Sequence, residues 1–153
     1  MTQIPSRLLV FDIGNTAITC GLFKSGHLIR SKSVAHRDIP IFIKNCYISG
    51  RKEKIKCLIA SVVPKLTLKI KKLNSRLKIK TWVVGENLAV PFKHKYQEIK
   101  TLGSDRIVNV YGALRLYRAP ALIIDFGTAI TFDYVSKAEI FEGGMIVPGP
   151  ELS

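Results

Sequence analysis

No stretch of eighteen consecutive apolar residues occurs, so nothing in the chain predicts a membrane-crossing helix. The opening Met1-Thr2-Gln3-Ile4-Pro5-Ser6-Arg7 has neither a charged n-region nor a long apolar h-region, and a secretory leader is not expected. Cysteine is sparse. Cys20, Cys46 and Cys57 are odd in number, far apart and without a CxxC pair. This excludes a disulfide framework or zinc ribbon and suggests free thiols in a reducing, cytoplasmic setting. Neither GxGxxG nor GxxxxGK[ST] is present, which removes the main support for a Rossmann dinucleotide site and for a P-loop. No low-complexity tract marks a linker.

Acid is also in short supply, with 11 Asp and Glu against 24 Lys and Arg and a net charge of +13. Between Arg51 and Lys80 stand eleven basic residues and one acid, Glu53. Such a run suits a nucleic-acid or anionic surface. It equally suits the solvated face of a lysine-rich helix. Lysine outnumbers arginine and no aromatic residue interleaves within the run, so the solvated face is preferred and nucleic acid is not an expected partner.

What the chain does have is the same phrase twice. Arg7-Leu8-Leu9-Val10-Phe11-Asp12-Ile13-Gly14-Asn15-Thr16-Ala17-Ile18-Thr19 returns, one residue shorter, as Ala121-Leu122-Ile123-Ile124-Asp125-Phe126-Gly127-Thr128-Ala129-Ile130-Thr131. A repeat spaced this widely suggests two related lobes, not a solenoid. Each copy reads as strand, tight turn, strand. Lys24 to His27 predicts a hairpin turn into a third strand at Leu28 to Val34. Helical spacing runs from Ile39 to Tyr47, and an apolar strand from Lys56 to Val63 is stopped by Pro64. Leu66, Ile70, Leu73 and Leu77 mark one face of a basic helix, and Thr81 to Val84 is a short strand. Val90 to Leu102 reads as a loop. Ser104 is expected to cap a helix from Asp105 to Leu116. The order is α/β, but three early strands joined by hairpins exclude a simple doubly wound sheet.

The duplicated turn has the chemistry of a phosphate and cation site. Gly14 and Gly127 permit tight or positive-φ backbone, while Asn15, Thr16 and Thr128 add donors. Asp12 and Asp125 are expected at the ends of buried strands, where a carboxylate is costly without a cation. In Gly103-Ser104-Asp105-Arg106 the aspartate falls in a first helical turn, which the macrodipole favours. There it could accept a proton from a substrate hydroxyl, or serve helix stability alone. Arg106 beside it suits a carboxylate.

Together these pieces resemble the type III pantothenate kinases, of the acetate and sugar kinase, Hsp70 and actin superfamily. Five motifs match in order: Asp12 to Thr16, Ser61-Val62-Val63-Pro64, Gly103 to Arg106, Asp125 to Thr131, and Gly143-Gly144-Met145-Ile146-Val147-Pro148-Gly149. The resemblance implies a ribonuclease H-like (actin-like ATPase) lobe with a mixed sheet over residues 1–119 and the start of a duplicated second lobe over 120–153. It implies ATP-dependent phosphorylation of pantothenate, the first step of coenzyme A synthesis. Asp12, Ile13, Gly14, Asn15, Thr16, Ala17, Ile18 and Thr19 would form the first phosphate loop, and Thr128 would touch ATP from the second. Asp105 would be the proton acceptor. Tyr96 and Gly103, Ser104, Asp105 and Arg106 would hold pantothenate. Asp125 would bind potassium or ammonium, ATP would arrive with Mg²⁺, and the enzyme would be a homodimer.

Three departures accompany the resemblance. Ile130 replaces a more usual threonine, and no proline stands between Tyr96 and Gly103. Family members also extend well past the Gly-Gly-x-Ile-x-Pro-Gly motif, so the chain is expected to be C-terminally truncated. The rival reading is an inactive remnant or regulator of the same fold that binds anions or nucleic acid through its basic face.

Overall fold

Alternation of apolar side chains makes the first strands. In β1 (Arg7–Ile13) every second residue is buried, among them Leu9, Phe11 and Ile13. It pairs antiparallel with β2 (Ile18–Lys24), which pairs antiparallel with β3 (His27–Val34). The turn between β2 and β3 places Ser25 at φ 49° and Gly26 at φ 85°, the two positive angles of a type I′ hairpin. This computed structural model describes residues 7–39, 41, 43, 45 and 55–150. Within the helix expected from Ile39 to Tyr47, residues 39, 41, 43 and 45 are helical and the remainder lies outside the described residues, as does Cys46.

β4 (Ile55–Ser61) joins the other side of β1 in parallel, and β5 (Thr81–Val83) extends the sheet in parallel, giving the order β3-β2-β1-β4-β5. Between them α1 (Pro64–Arg76) begins with proline, whose missing N–H is unneeded in the first turn. Leu66, Ile70 and Leu73 pack on a core of Leu9, Phe11, Ile13, Ile18, Ile43 and Ile59. Leu77, expected on that face, follows the last helical residue as the C-cap and is 42% exposed. Asn74, fully buried, donates to Thr81 Oγ1 at 3.0 Å and ties α1 to β5. Cys57 shares this corner. Burial pushes its thiol up to about 12, with the Asn74 and Thr81 hydrogen bonds working the other way.

The chain packs as two compact units, Met1–Leu88 and Ala89–Ser153. Of the basic residues 17 fall in the first, against 4 acids, while the second has 7 of each, so the whole excess of positive charge belongs to the first unit. Lys56 and Lys80 there sit over the Trp82 ring, 5.6 and 5.1 Å from its centroid.

In the second unit β7 (Ala121–Phe126), β8 (Ala129–Val135) and β9 (Ile140–Pro148) form an antiparallel meander. The stretch expected as a loop contains β6 (Lys93–His94), parallel to β9, and a short 3-10 turn at Ile99–Thr101. Two residues are too few to show an alternation. α2 (Ser104–Leu116) packs on β7 and β8 through Ile107 and Val110. Pairing register puts Ile123, Asp125, Thr131 and Asp133 on one face of the meander. Hydrogen bonds from α2 to Asp125 and Asp133 show that the helix covers this face.

Candidate functional site

The two copies of the repeated phrase fold alike. Asp12 lies opposite Thr19 across the first hairpin, and Asp125 lies opposite Thr131 across the second. Between the last pairs, Ile13↔Ile18 and Phe126↔Ile130, four residues turn the first chain and three the second. The missing residue is therefore taken up wholly in the turn. Each turn is closed by its glycine: Gly14 N–H donates to Ala17 O at 3.0 Å, and Gly127 N–H to Ala129 O at 3.1 Å. These donors are spent on the turn itself. Neither glycine has positive φ, and a Cβ on either would make ordinary contact at 3.4 Å. The residue type here does not relieve backbone strain. Asn15, Thr16 and Thr128 are exposed.

Asp12 and Asp125 are exposed too, contrary to the buried strand ends expected from sequence. The apolar runs preceding them do form strands, but each aspartate is the next-to-last residue before its turn, where the strand is no longer covered. The desolvation argument for an obligatory cation does not hold at these positions. Asp125 Oδ2 instead accepts from Asn109 Nδ2 at 3.1 Å, a bond from α2. Among the described residues no three His, Cys, Asp or Glu side chains gather to hold a metal ion. One exposed carboxylate is not by itself a cation cage, and the monovalent ion that the resemblance implies would need further oxygens, such as backbone carbonyls, beside Asp125.

The Gly103-Ser104-Asp105-Arg106 motif opens α2. The helix starts one residue earlier than expected: Ser104 is its first residue, and Gly103 occupies the cap position without a side-chain bond. Asp105 sits in the first turn, half-buried, and its Oδ1 accepts the Arg106 N–H at 2.8 Å. The carboxylate thus caps its own helix with one oxygen, and the other is not used in that bond.

Arg106 is buried and faces Asp133 at the centre of β8, which is 0% exposed. The guanidinium meets it through Nε, at 3.0 and 3.2 Å from the two oxygens, and through Nη2, at 2.6 Å. Burial works against the charged guanidinium, but hydrogen bonding and attraction from Asp133, with a contribution from Tyr96, outweigh it and raise its pKa. Tyr96 stacks on Phe141 with ring centroids 5.5 Å apart and planes 6° from parallel.

Asp133 was missed in the sequence. The available signal was an acid in the middle of Thr131-Phe132-Asp133-Tyr134-Val135, at an inward position of an apolar strand.

Gly144 lies opposite Asp133 in the ladder, and a Cβ there would fall 2.7 Å from both Arg106 Nη2 and Asp133 Oδ1. Gly149 is held similarly. Its N–H donates to Thr128 O at 3.0 Å, and a Cβ would lie 2.3 Å from Gly127 O. Gly144 and Gly149 of the last motif are thus fixed by close approach to the ion pair and to the second turn, and Gly143 by its φ of 130°. Tyr96, Gly103 to Arg106, Asp125 and Thr128 all belong to the second unit, whereas Asp12 to Thr19 belong to the first.

A mixed five-stranded sheet with an Asp–Thr hairpin on its first two strands, and the same hairpin in a second sheet, defines a protein of the actin-like ATPase fold, as its solved neighbours bear out. Among them, a conserved Baf-family protein from Campylobacter jejuni superposes with a TM-score of 0.59 over 94% of this chain and 55% of that one, at 24% identity. Likeness at that identity speaks for the fold alone. The chain belongs to the type III pantothenate kinase family, whose model matches residues 8–153. It is 37% identical to the type III pantothenate kinase of Finegoldia magna and 35% identical to that of a Sulfurihydrogenibium species, each over 95% of this chain. The match spans 60% and 62% of those relatives' lengths.

Proposed function

We propose that this chain carries the phosphate loops and the pantothenate site of an ATP-dependent pantothenate kinase. The observation that supports this most is the helix start at Gly103 to Arg106, with Asp105 half-buried in the first turn and Arg106 fixed beside it. In this reading Arg106 and Tyr96 receive the pantothenate carboxylate end, with Gly103 and Ser104 lining the same site. Asp105 accepts the proton from the primary hydroxyl as its oxygen attacks the γ-phosphorus of ATP, and ADP departs. Phosphoryl transfer needs little covalent help from protein, so alignment and charge compensation supply most of the acceleration. Asp12, Ile13, Gly14, Asn15, Thr16, Ala17, Ile18 and Thr19 form the first phosphate loop, and Thr128 contributes a hydroxyl from the second. Mg²⁺ enters with ATP as part of the substrate. In evolutionary terms the first lobe runs to residue 119 and the duplicated lobe starts at 120, and the working enzyme is a cytoplasmic homodimer.

The test is formation of phosphopantothenate from ATP and pantothenate. It is run with the chain alone and with the remaining C-terminal part of the Finegoldia magna relative supplied in trans. Turnover is expected to be weak in the first case and restored in the second. No product in either would overturn the proposal. A second reading, an anion- or nucleic-acid-binding regulator, is favoured only by the concentration of all excess positive charge in Met1–Leu88. It requires duplex DNA binding that weakens steeply with salt.

A further inference from the structure

The geometry points to Asp133 as a positioning residue that sets the orientation of Arg106, with Gly144 as the wall that keeps the pair in place. This rests on the assignment of Arg106 to the pantothenate carboxylate.

A carboxylate with no exposure, between Phe132 and Tyr134 on a strand, is expensive to bury unless its charge is met. Arg106 meets it along one edge only. Nε and Nη2 both point at Asp133, and Nη1 takes no part in that pairing. Because the guanidinium is planar and rigid, fixing one edge fixes where the remaining amino group points. Lysine could not be aimed in this way.

The opposite side is closed by backbone. Gly144 is the register partner of Asp133, and its Cα leaves no room for a side chain beside Nη2. The same strand steadies the other proposed ligand contact. Phe141 of β9 stacks against Tyr96, and a Cβ on Gly143 would lie 3.9 Å from the Tyr96 ring. Arg106 and Tyr96 are therefore held by neighbouring positions of one strand pair, β8 and β9. An arginine whose charge is already compensated offers a ligand directed hydrogen bonds more than free charge. Such a site should distinguish a planar carboxylate from a neutral group of similar size.

A purely structural ion pair, pinning α2 to the sheet, would show the same contacts but would not affect that discrimination. The experiment measures equilibrium binding of pantothenate and of its neutral alcohol analogue, pantothenol, to the full chain. Wild type is compared with Asp133→Asn and Asp133→Glu, and far-UV circular dichroism reports on folding. Wild type should prefer the carboxylate. Asp133→Asn should reduce that preference about tenfold or more, the scale of one hydrogen bond to a charged group. Asp133→Glu, which keeps the charge but moves it by a methylene, should also reduce it. Equal weakening toward both ligands, or an unchanged preference in a folded variant, would overturn the positioning role while leaving the kinase reading intact. Absence of any preference in wild type would remove Arg106 from carboxylate recognition and end the inference with it.

If neither variant folds, ¹⁵N spectra of the unaltered chain decide. Pantothenate should shift the Arg106 Nη1 signals and leave Nε, held by Asp133, nearly unmoved. A large Nε shift would mean the ligand displaces Asp133, and the inference would fall.

Discussion

Replacing Gly144 with alanine should unfold the second unit under conditions in which the same change at Gly112 makes it more stable. The added Cβ at 144 would lie 1.9 Å from Phe132 O, on the facing strand, besides its collisions with Arg106 and Asp133 at 2.7 Å. Real Cβ contacts stay beyond 3.0 Å, so β9 must withdraw from β8 by roughly an ångström at this point. Withdrawal weakens adjoining ladder bonds, worth about 1 kcal/mol each, and disrupts a buried ion pair whose breakage costs about 3–5 kcal/mol. A loss of about 4–6 kcal/mol follows, a large part of the roughly 5–15 kcal/mol that holds a small domain together. At Gly112 the added methyl meets nothing within 4 Å. It projects from α2 into an open groove of about 550 Å³ beside β7. There alanine should gain about 0.8–1 kcal/mol from helix propensity. Urea denaturation followed by far-UV circular dichroism measures both. A Gly144→Ala midpoint corresponding to less than about 1 kcal/mol of loss would refute the packing argument.

Three further outcomes are expected. Asp105→Asn keeps an oxygen to accept the Arg106 N–H, so folding should survive while kcat of the complemented enzyme falls about 10²- to 10⁴-fold; turnover near wild type would remove Asp105 from proton transfer. Cys57, with its thiol near 12, should resist iodoacetamide at pH 8 in the folded chain and react only on unfolding, and labelling at the rate of a free thiol would contradict its burial. Because its folded pKa lies above the unfolded one, its contribution to stability is complete below about pH 9 and is lost as pH rises toward 12. Asp125→Ala removes one bond to Asn109 and should cost at most about 1 kcal/mol, and exchanging potassium for sodium should leave the melting temperature of the chain unchanged. A potassium-specific rise in melting temperature, lost in the variant, would restore Asp125 as a cation ligand.

The strands of the first unit were legible because their apolar residues alternate or cluster between clear turn residues. The Ser25-Gly26 hairpin and Pro64 at a helix start each act within a few residues of themselves. The repeat was legible as well, since both copies must solve the same local problem. Exposure was not. Whether Asp12 and Asp125 are buried depends on what lies over the end of the sheet, which no local pattern encodes. The reason for Gly144 was equally hidden. It depends on a strand pairing 11 residues away in sequence, with Asp133, and on an arginine 38 residues away, Arg106. The N-cap assignment to Ser104 failed by one position because Gly103 already has extended backbone and can enter the helix without a side-chain bond.

The two hairpins also show how duplicated copies can diverge without disturbing their framework. Each keeps aspartate opposite threonine although one turn is a residue shorter. Strand register and turn length are therefore separate adjustments: the ladder stores the alignment, and the turn is free to grow or shrink. A lineage could retune how far one loop reaches beyond its sheet by single-codon insertion or deletion, with no side chain in the sheet changing face. The same freedom is open to an engineer. Inserting an asparagine between Gly127 and Thr128 would give the second loop the length of the first and leave Asp125 where it stands.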